Sequence, residues 1–206
     1  MATLSDIRTQ LQRDLRDISG ATWTSAELND MINQGLDALA DVYPREVTDY
    51  LTIASGAATY APAVAFTNIY RVDIHTSADS DAGVLEPTFG MGRGSGWEWH
   101  AGLLWIPPGL IPDGYKLRLW GYARYAVLTS DNDITDADAA GVNAVRAYSV
   151  AEAFGRLTVN RAAFQQWQAA PGNTDISAIA LMQFYRTSRF RWREEQQRLR
   201  RMRKRG

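Results

Sequence analysis

Thr22-Trp23-Thr24-Ser25-Ala26-Glu27-Leu28 opens a stretch that closes at Tyr43-Pro44, and its local chemistry decides how the rest of the chain is read. The Thr24 hydroxyl is placed to accept from the amide of Glu27. The Glu27 carboxylate is placed to accept from the amide of Thr24. This is a capping box, which satisfies two of the donors that a helix start leaves open. Trp23 before the cap and Leu28 at the fourth helical position fit a hydrophobic staple. Leu28, Met31, Ile32, Leu36, Leu39 and Tyr43 then share one face at helical period. Pro44 stops the helix, because the residue before a proline is pushed out of the α region. A helix with one apolar face must find partners to bury it.

The first partner lies upstream. Leu4, Ile7, Leu11, Leu15 and Ile18 recur at helical spacing over residues 3–19, and Gly20 suits a C-terminal stop. Two amphipathic helices joined by so short a turn predict an αα-hairpin. After Pro44 the period drops toward two, and β-branched and aromatic residues gather. Strands are expected at 50–54, 69–76, 84–88, 103–106 and 115–126. Ser55-Gly56, Ala61-Pro62, Pro107-Pro108-Gly109 and Pro112-Asp113-Gly114 punctuate them. This predicts a small antiparallel sheet or barrel inserted after the hairpin. A polar connector over 129–138 resets the chain to helix, with Thr135 as cap and Asp138 three positions on. Val142, Val145, Tyr148, Ala151, Phe154 and Leu157 follow at helical spacing among many alanines, to about Gln168 and a break at Pro171-Gly172. Thr174 is placed to cap a last helix carrying Ile176, Ile179, Met182 and Tyr185, with continuation of that helix into the basic segment left open.

The fold class expected is α+β. A helical bundle forms from the N- and C-terminal helices, with an inserted small antiparallel β domain and an extended basic C-terminal segment. The corresponding divisions are 1–46, 47–128, 129–185 and 186–206.

Composition narrows the function. The 206 residues include no cysteine, which removes disulfides and thiolate metal sites and suits a reducing compartment. The N-terminus lacks the basic and apolar regions of a signal peptide, and no apolar run reaches a membrane span, so no membrane partner is expected. The net charge of −1 hides a division: residues 186–206 carry +8 and the remainder −9. An acidic body with a basic end favours association with acidic surfaces, including other copies of itself.

No catalytic set emerges, and no metal or cofactor is expected. Asp131-Asn132-Asp133-Ile134-Thr135-Asp136 has the acidic spacing of a calcium loop, but Asp136 stands where glycine is required and Val142 where the bidentate glutamate belongs. Loop and cap carboxylates explain it better. Gly90, Gly92, Gly94 and Gly96 alternate around Arg93 without the lysine of a phosphate loop or the spacing of a dinucleotide fingerprint. They read as a loop between strands, with a loop that orders on assembly as the rival reading. His75 and His100 have no second ligand at metal spacing. Trp97, Trp99, Trp105 and Trp120 read as core and sheet-face residues of the β insert.

The C-terminal segment is distinctive. Arg186, Arg189, Arg191, Arg193, Arg198, Arg200, Arg201, Arg203, Lys204 and Arg205 are interleaved with Phe190, Trp192, Leu199 and Met202. A solvated basic tail is the plain reading. Apolar anchors among charges instead suggest a docking segment, separable from the body, that fills pockets in a partner.

The opening hairpin, with Trp23-Thr24-Ser25-Ala26-Glu27-Leu28 and Met31-Ile32-Asn33-Gln34-Gly35-Leu36, resembles the head–tail adaptor (connector) proteins of tailed bacteriophages. The order of parts resembles them too: helical hairpin, β insert, connector at Thr129-Ser130-Asp131-Asn132-Asp133, further helices, basic end. The resemblance implies a structural virion protein at the head–tail interface, made in the host cytoplasm. It implies a homo-oligomeric ring of twelve subunits beneath the portal protein. That ring would extend the genomic DNA channel, receive a downstream tail or stopper protein, and dock on the portal through the C-terminal segment. The chief alternative is a DNA-binding protein that sets the arginine-rich tail on phosphates.

Overall fold

A computed structural model of the chain describes residues 2–75 and 96–203. It is α+β, with five helices and two small antiparallel sheets among the described residues. The chain divides into two compact units. One is built from the residues up to Pro44 and those from Tyr125 on, the other from Arg45–Arg124.

The helical unit begins with α1, Leu4–Asp14, and α2, Ser25–Ala40. The Thr24–Glu27 capping box is present, with the Glu27 amide donating to the Thr24 hydroxyl at 3.2 Å and the Thr24 amide to the Glu27 carboxylate at 2.9 Å. Thr3 and Asp6 form a second box at α1. The first helix stops well before Gly20. Arg16 adopts φ 54°, and the Asp17 carboxylate, 1% exposed, accepts from the amides of Ala21, Thr22 and Trp23 at 3.0, 3.1 and 2.9 Å. One buried side chain thus holds the whole turn between α1 and α2.

The third helix, α3, Ala139–Val159, is capped by Asp138 rather than Thr135. The Asp138 carboxylate accepts from the Gly141 amide at 2.7 Å. It ends at Asn160, whose side chain caps α4, Arg161–Gln168, so the continuous helix expected to Gln168 is in fact two. The last helix, α5, is Ala178–Arg203. Small residues let α3 lie close to its neighbours: Gly35 of α2 faces Val145 and Tyr148, and Gly155 faces the Tyr185 ring of α5. The Ser149 hydroxyl donates to Met31 O at 3.1 Å, and Arg146 pairs with Asp14 at 2.6 Å, so both N-terminal helices are tied to α3. Trp167 of α4 is fully buried and donates its indole N–H to Leu15 O at 2.8 Å. One continuous core runs through all of these helices, from Leu4 and Leu28 to Trp192 and Leu199.

The β unit contains β1 (Arg45–Thr52), β2 (Thr59–Tyr60), β3 (Phe66–His75), β4 (Glu98–His100), β5 (Leu103–Trp105) and β6 (Lys116–Ala123). Where a small sheet or barrel is expected, the described residues form two three-stranded sheets, ordered β1–β6–β3 and β2–β5–β4. Central strand β6 alternates half-buried and buried residues; Leu117 and Leu119 join Ile69, Val72, Leu104 and Trp97 in the core. The strand expected at 84–88 lies outside the described residues.

Candidate functional site

Helix α5 carries most of the residues the sequence marks for docking. Leu181, Ser188, Trp192 and Leu199 are buried, with Tyr185 half-buried between them. Their spacing is that of a seven-residue repeat, the period at which one helix keeps a seam against another. The Trp192 ring meets the Tyr148 ring of α3 edge-on, with centroids 5.3 Å apart and planes at 79°. The segment 186–203 is therefore the continuation of the last helix rather than an extended segment. Trp192 and Leu199, read as anchors for a partner, instead fill the chain's own core. The high density of arginines hides this seam, because buried positions are a minority on any surface helix.

The basic side of α5 points outward. Arg186, Arg189, Phe190, Arg191, Arg193, Arg198, Arg200, Arg201, Met202 and Arg203 are all exposed, with Phe190 at 60% and Met202 at 41%. Arg198 pairs with Glu195 at 3.4 Å, a contact within one turn. Lys204 and Arg205 lie outside the described residues, as do Gly90, Gly92, Arg93 and Gly94; Gly96 is described, and buried. A cleft of about 710 Å³ opens beside α5, with α1 and α3 as its other walls. Arg16, Arg146 and Arg191 line it together with Asp14, Glu194 and Glu195, above Phe154 and Phe184. The Arg16 guanidinium lies 5.4 Å from the Phe184 ring centroid. Opposite charges alternate around this cleft, which suits protein contact rather than a single small ion.

The acidic connector is used internally. Arg8 donates to both Asp131 oxygens, at 2.7 and 3.0 Å, and holds its carboxyl below the usual range. The amides of Ser130 and Thr129 do the same to Asp133. Among the described residues no three His, Asp or Glu side chains are grouped to hold a metal ion. No helix among them is long and apolar enough to cross a membrane.

A second surface was not singled out by sequence reasoning beyond the naming of Trp120 as a sheet-face residue. On the side of β1–β6–β3 away from its core, β6 presents Lys116, Arg118, Trp120 and Tyr122. Trp120 donates its indole N–H to Asp73 at 2.8 Å, and Arg71 pairs with Asp73 at 2.7 Å. The Tyr70 and Tyr122 rings lie 5.0 Å apart. Burial, together with a hydrogen bond to Glu46, pushes the Tyr70 hydroxyl up to about 12. Period two on β6 signals this face, but the cross-strand partners that give it character come from distant sequence.

A family model described as SU10 adaptor protein matches residues 2–200, which takes in both units and nearly all of α5. No curated protein matches the chain. The match runs through the capped hairpin, the β unit and the C-terminal helices alike, and the chain belongs to the SU10 adaptor protein family, a family of structural bacteriophage adaptors.

Proposed function

We propose that the protein is the head–tail adaptor of a tailed bacteriophage, a virion component that forms a ring, of twelve copies, under the portal protein. The ring extends the channel through which genomic DNA passes and receives the tail or stopper protein below. The observation that carries this reading is the family match over residues 2–200. The helical parts form a bundle seated on the portal. The exposed side of α5 supplies the contact: its arginines pair with carboxylates in planar, bidentate geometry, and Phe190 and Met202 fill shallow pockets. With Trp192 and Leu199 committed to the core, docking rests on the outward residues and on Lys204 and Arg205 beyond them.

Imaging of the purified chain mixed with its portal tests this. A ring added to the portal face is expected for the wild type. Its loss is expected for Arg200→Glu combined with Arg201→Glu, with circular dichroism unchanged. If the chain ignores portal and binds free duplex DNA with steep salt dependence, the arginines serve phosphates and the adaptor reading fails.

A further inference from the structure

The outward face of β1–β6–β3 is prepared for an anion that the chain's described residues do not supply. Arg118 sits at its centre, paired in register with Tyr50 on β1 and Asp73 on β3. Its guanidinium lies 4.0 Å from the Trp120 ring centroid and 5.8 Å from that of Tyr50. Asp73 is directly across from it, yet both Asp73 oxygens are taken, one by Arg71 and the other by the Trp120 indole. The Arg118 Nε is buried without a hydrogen-bond partner, and no ion pair involves Arg118 among the described residues. A guanidinium stacked in this way has lost part of its hydration and its rotamer freedom in advance, so little further cost attends binding of a planar carboxylate.

The surroundings select the kind of partner. Tyr50 and Tyr70 are 44% and 41% exposed, and with Arg71, Trp120 and Tyr122 they give the face the aromatic and arginine composition of interface centres. Nucleic acid fits less well. Glu46 and Asp73 share the face and would repel a phosphate chain, which binds through several unopposed cations. A discrete carboxylate on a protein surface fits both the charge and the geometry. The chain itself is such a surface: outside residues 186–206 it carries a net −9. In a ring, each copy meets its neighbour through two different faces, one of which can be cationic and the other acidic.

We propose that this face, centred on Arg118, docks onto carboxylates of a second copy of the chain; the inference rests on the ring reading above. The test uses the intact chain assembled on its portal from a mixture of isotope-labelled and unlabelled copies. Arg118→Lys places a primary amine on the face, which a carbodiimide joins only to a carboxylate in direct contact. A peptide linking position 118 of a labelled copy to an Asp or Glu of an unlabelled copy is the expected product. Arg118→Glu is expected to lower ring yield about tenfold or more at a temperature where the free chain remains folded, although losing the stacking on Trp120 and setting a carboxylate opposite Asp73 also lowers its thermal stability. Links from position 118 confined to its own copy or to the portal, or a ring yield indifferent to Arg118→Glu, would overturn the proposal while leaving the ring standing. Suppression of the link by duplex DNA would assign the face to nucleic acid and overturn it too. Failure of the wild type to form any ring would remove both readings.

Discussion

Replacing Trp192 by alanine separates the core role of α5 from the docking role proposed for it. Trp192 is 7% exposed and lies in the continuous core of the helical unit. A buried tryptophan removes about 200 Å² from water, which at about 25 cal/mol per Å² is about 5 kcal/mol. Denatured chains already bury part of that area, which brings the transfer contribution to about 3–4 kcal/mol. The edge-on pair with Tyr148 adds about 1 kcal/mol. A loss of about 4 kcal/mol is therefore expected, or roughly 15 °C in Tm. Phe190→Ala, two residues away and 60% exposed, is expected to cost under about 0.5 kcal/mol. Urea unfolding followed by far-UV circular dichroism measures both. The helical signal must be fitted separately from the β signal, because the two units need not unfold together. An unchanged midpoint for Trp192→Ala would refute the placement of α5 against α3. The pair should reverse in a portal-capture assay corrected for folded fraction, where Phe190→Ala is the weaker binder.

Asp17→Ala leaves the amides of Ala21, Thr22 and Trp23 without their shared acceptor and is expected to cost about 3 kcal/mol, read as a fall in Tm; a change under about 0.5 kcal/mol would show that water replaces the carboxylate. Gly121→Ala drives a methyl group into the Asn68 carbonyl and the Phe66 ring, so β3 and β6 must separate, and a loss of about 1–3 kcal/mol is expected in the β unit by tryptophan fluorescence; wild-type fluorescence and stability would contradict the register of those strands. Acid should destabilise the helical unit. The Thr3 amide lowers Asp6, the Thr24 amide lowers Glu27, Arg8 lowers Asp131, and the Ser130 amide lowers Asp133. Depressed carboxyls contribute stability that is complete above their unfolded values, 3.8 for Asp and 4.5 for Glu, and that is lost as pH falls through the folded ones. Tm should therefore hold from about pH 7 to 5 and drop below about pH 4, and Glu27→Gln should flatten the drop.

What the chain made legible was local. The Thr24–Glu27 box, the buried face from Leu28 to Leu39 and the arrest at Pro44 each depend on residues within a few positions of one another. The β period on 116–123 was visible for the same reason, since alternation is a property of one strand. Errors came where the deciding partner is remote or the local signals compete. Leu15 and Ile18 continue the α1 stripe, yet the helix ends at Asp14 because Asp17 gathers the amides that follow. Asn160 looks like any helix residue until its side chain caps α4. Trp167 and Asn173 find Leu15 O and Arg16 O, more than 150 residues back, and no window of sequence shows that. Two sheets rather than one among the described residues follow from strand order, which alternation does not encode. In the candidate site, the arginine face of α5 was plain and its buried seam was not. The Arg118 platform needed the register of three strands to be seen at all.

The helical unit takes residues from both sides of an uninterrupted β unit, and this sets a timetable for synthesis. The β unit is contiguous and has all its strands once the ribosome has passed Arg124. α1 and α2 emerge earlier but must wait for α3 to cover them and for α5 to cover α3. At about 5–20 residues per second, the gap between Ala40 and Arg203 is on the order of 10–30 s. Within that interval the apolar faces of α1 and α2 stay open to chaperones and to one another until α3 emerges, and the face of α3 until α5 does. A chain released before α5 would keep its β unit and lack Trp192 and Leu199, so incomplete translation products would be poor competitors for assembly and good substrates for proteolysis.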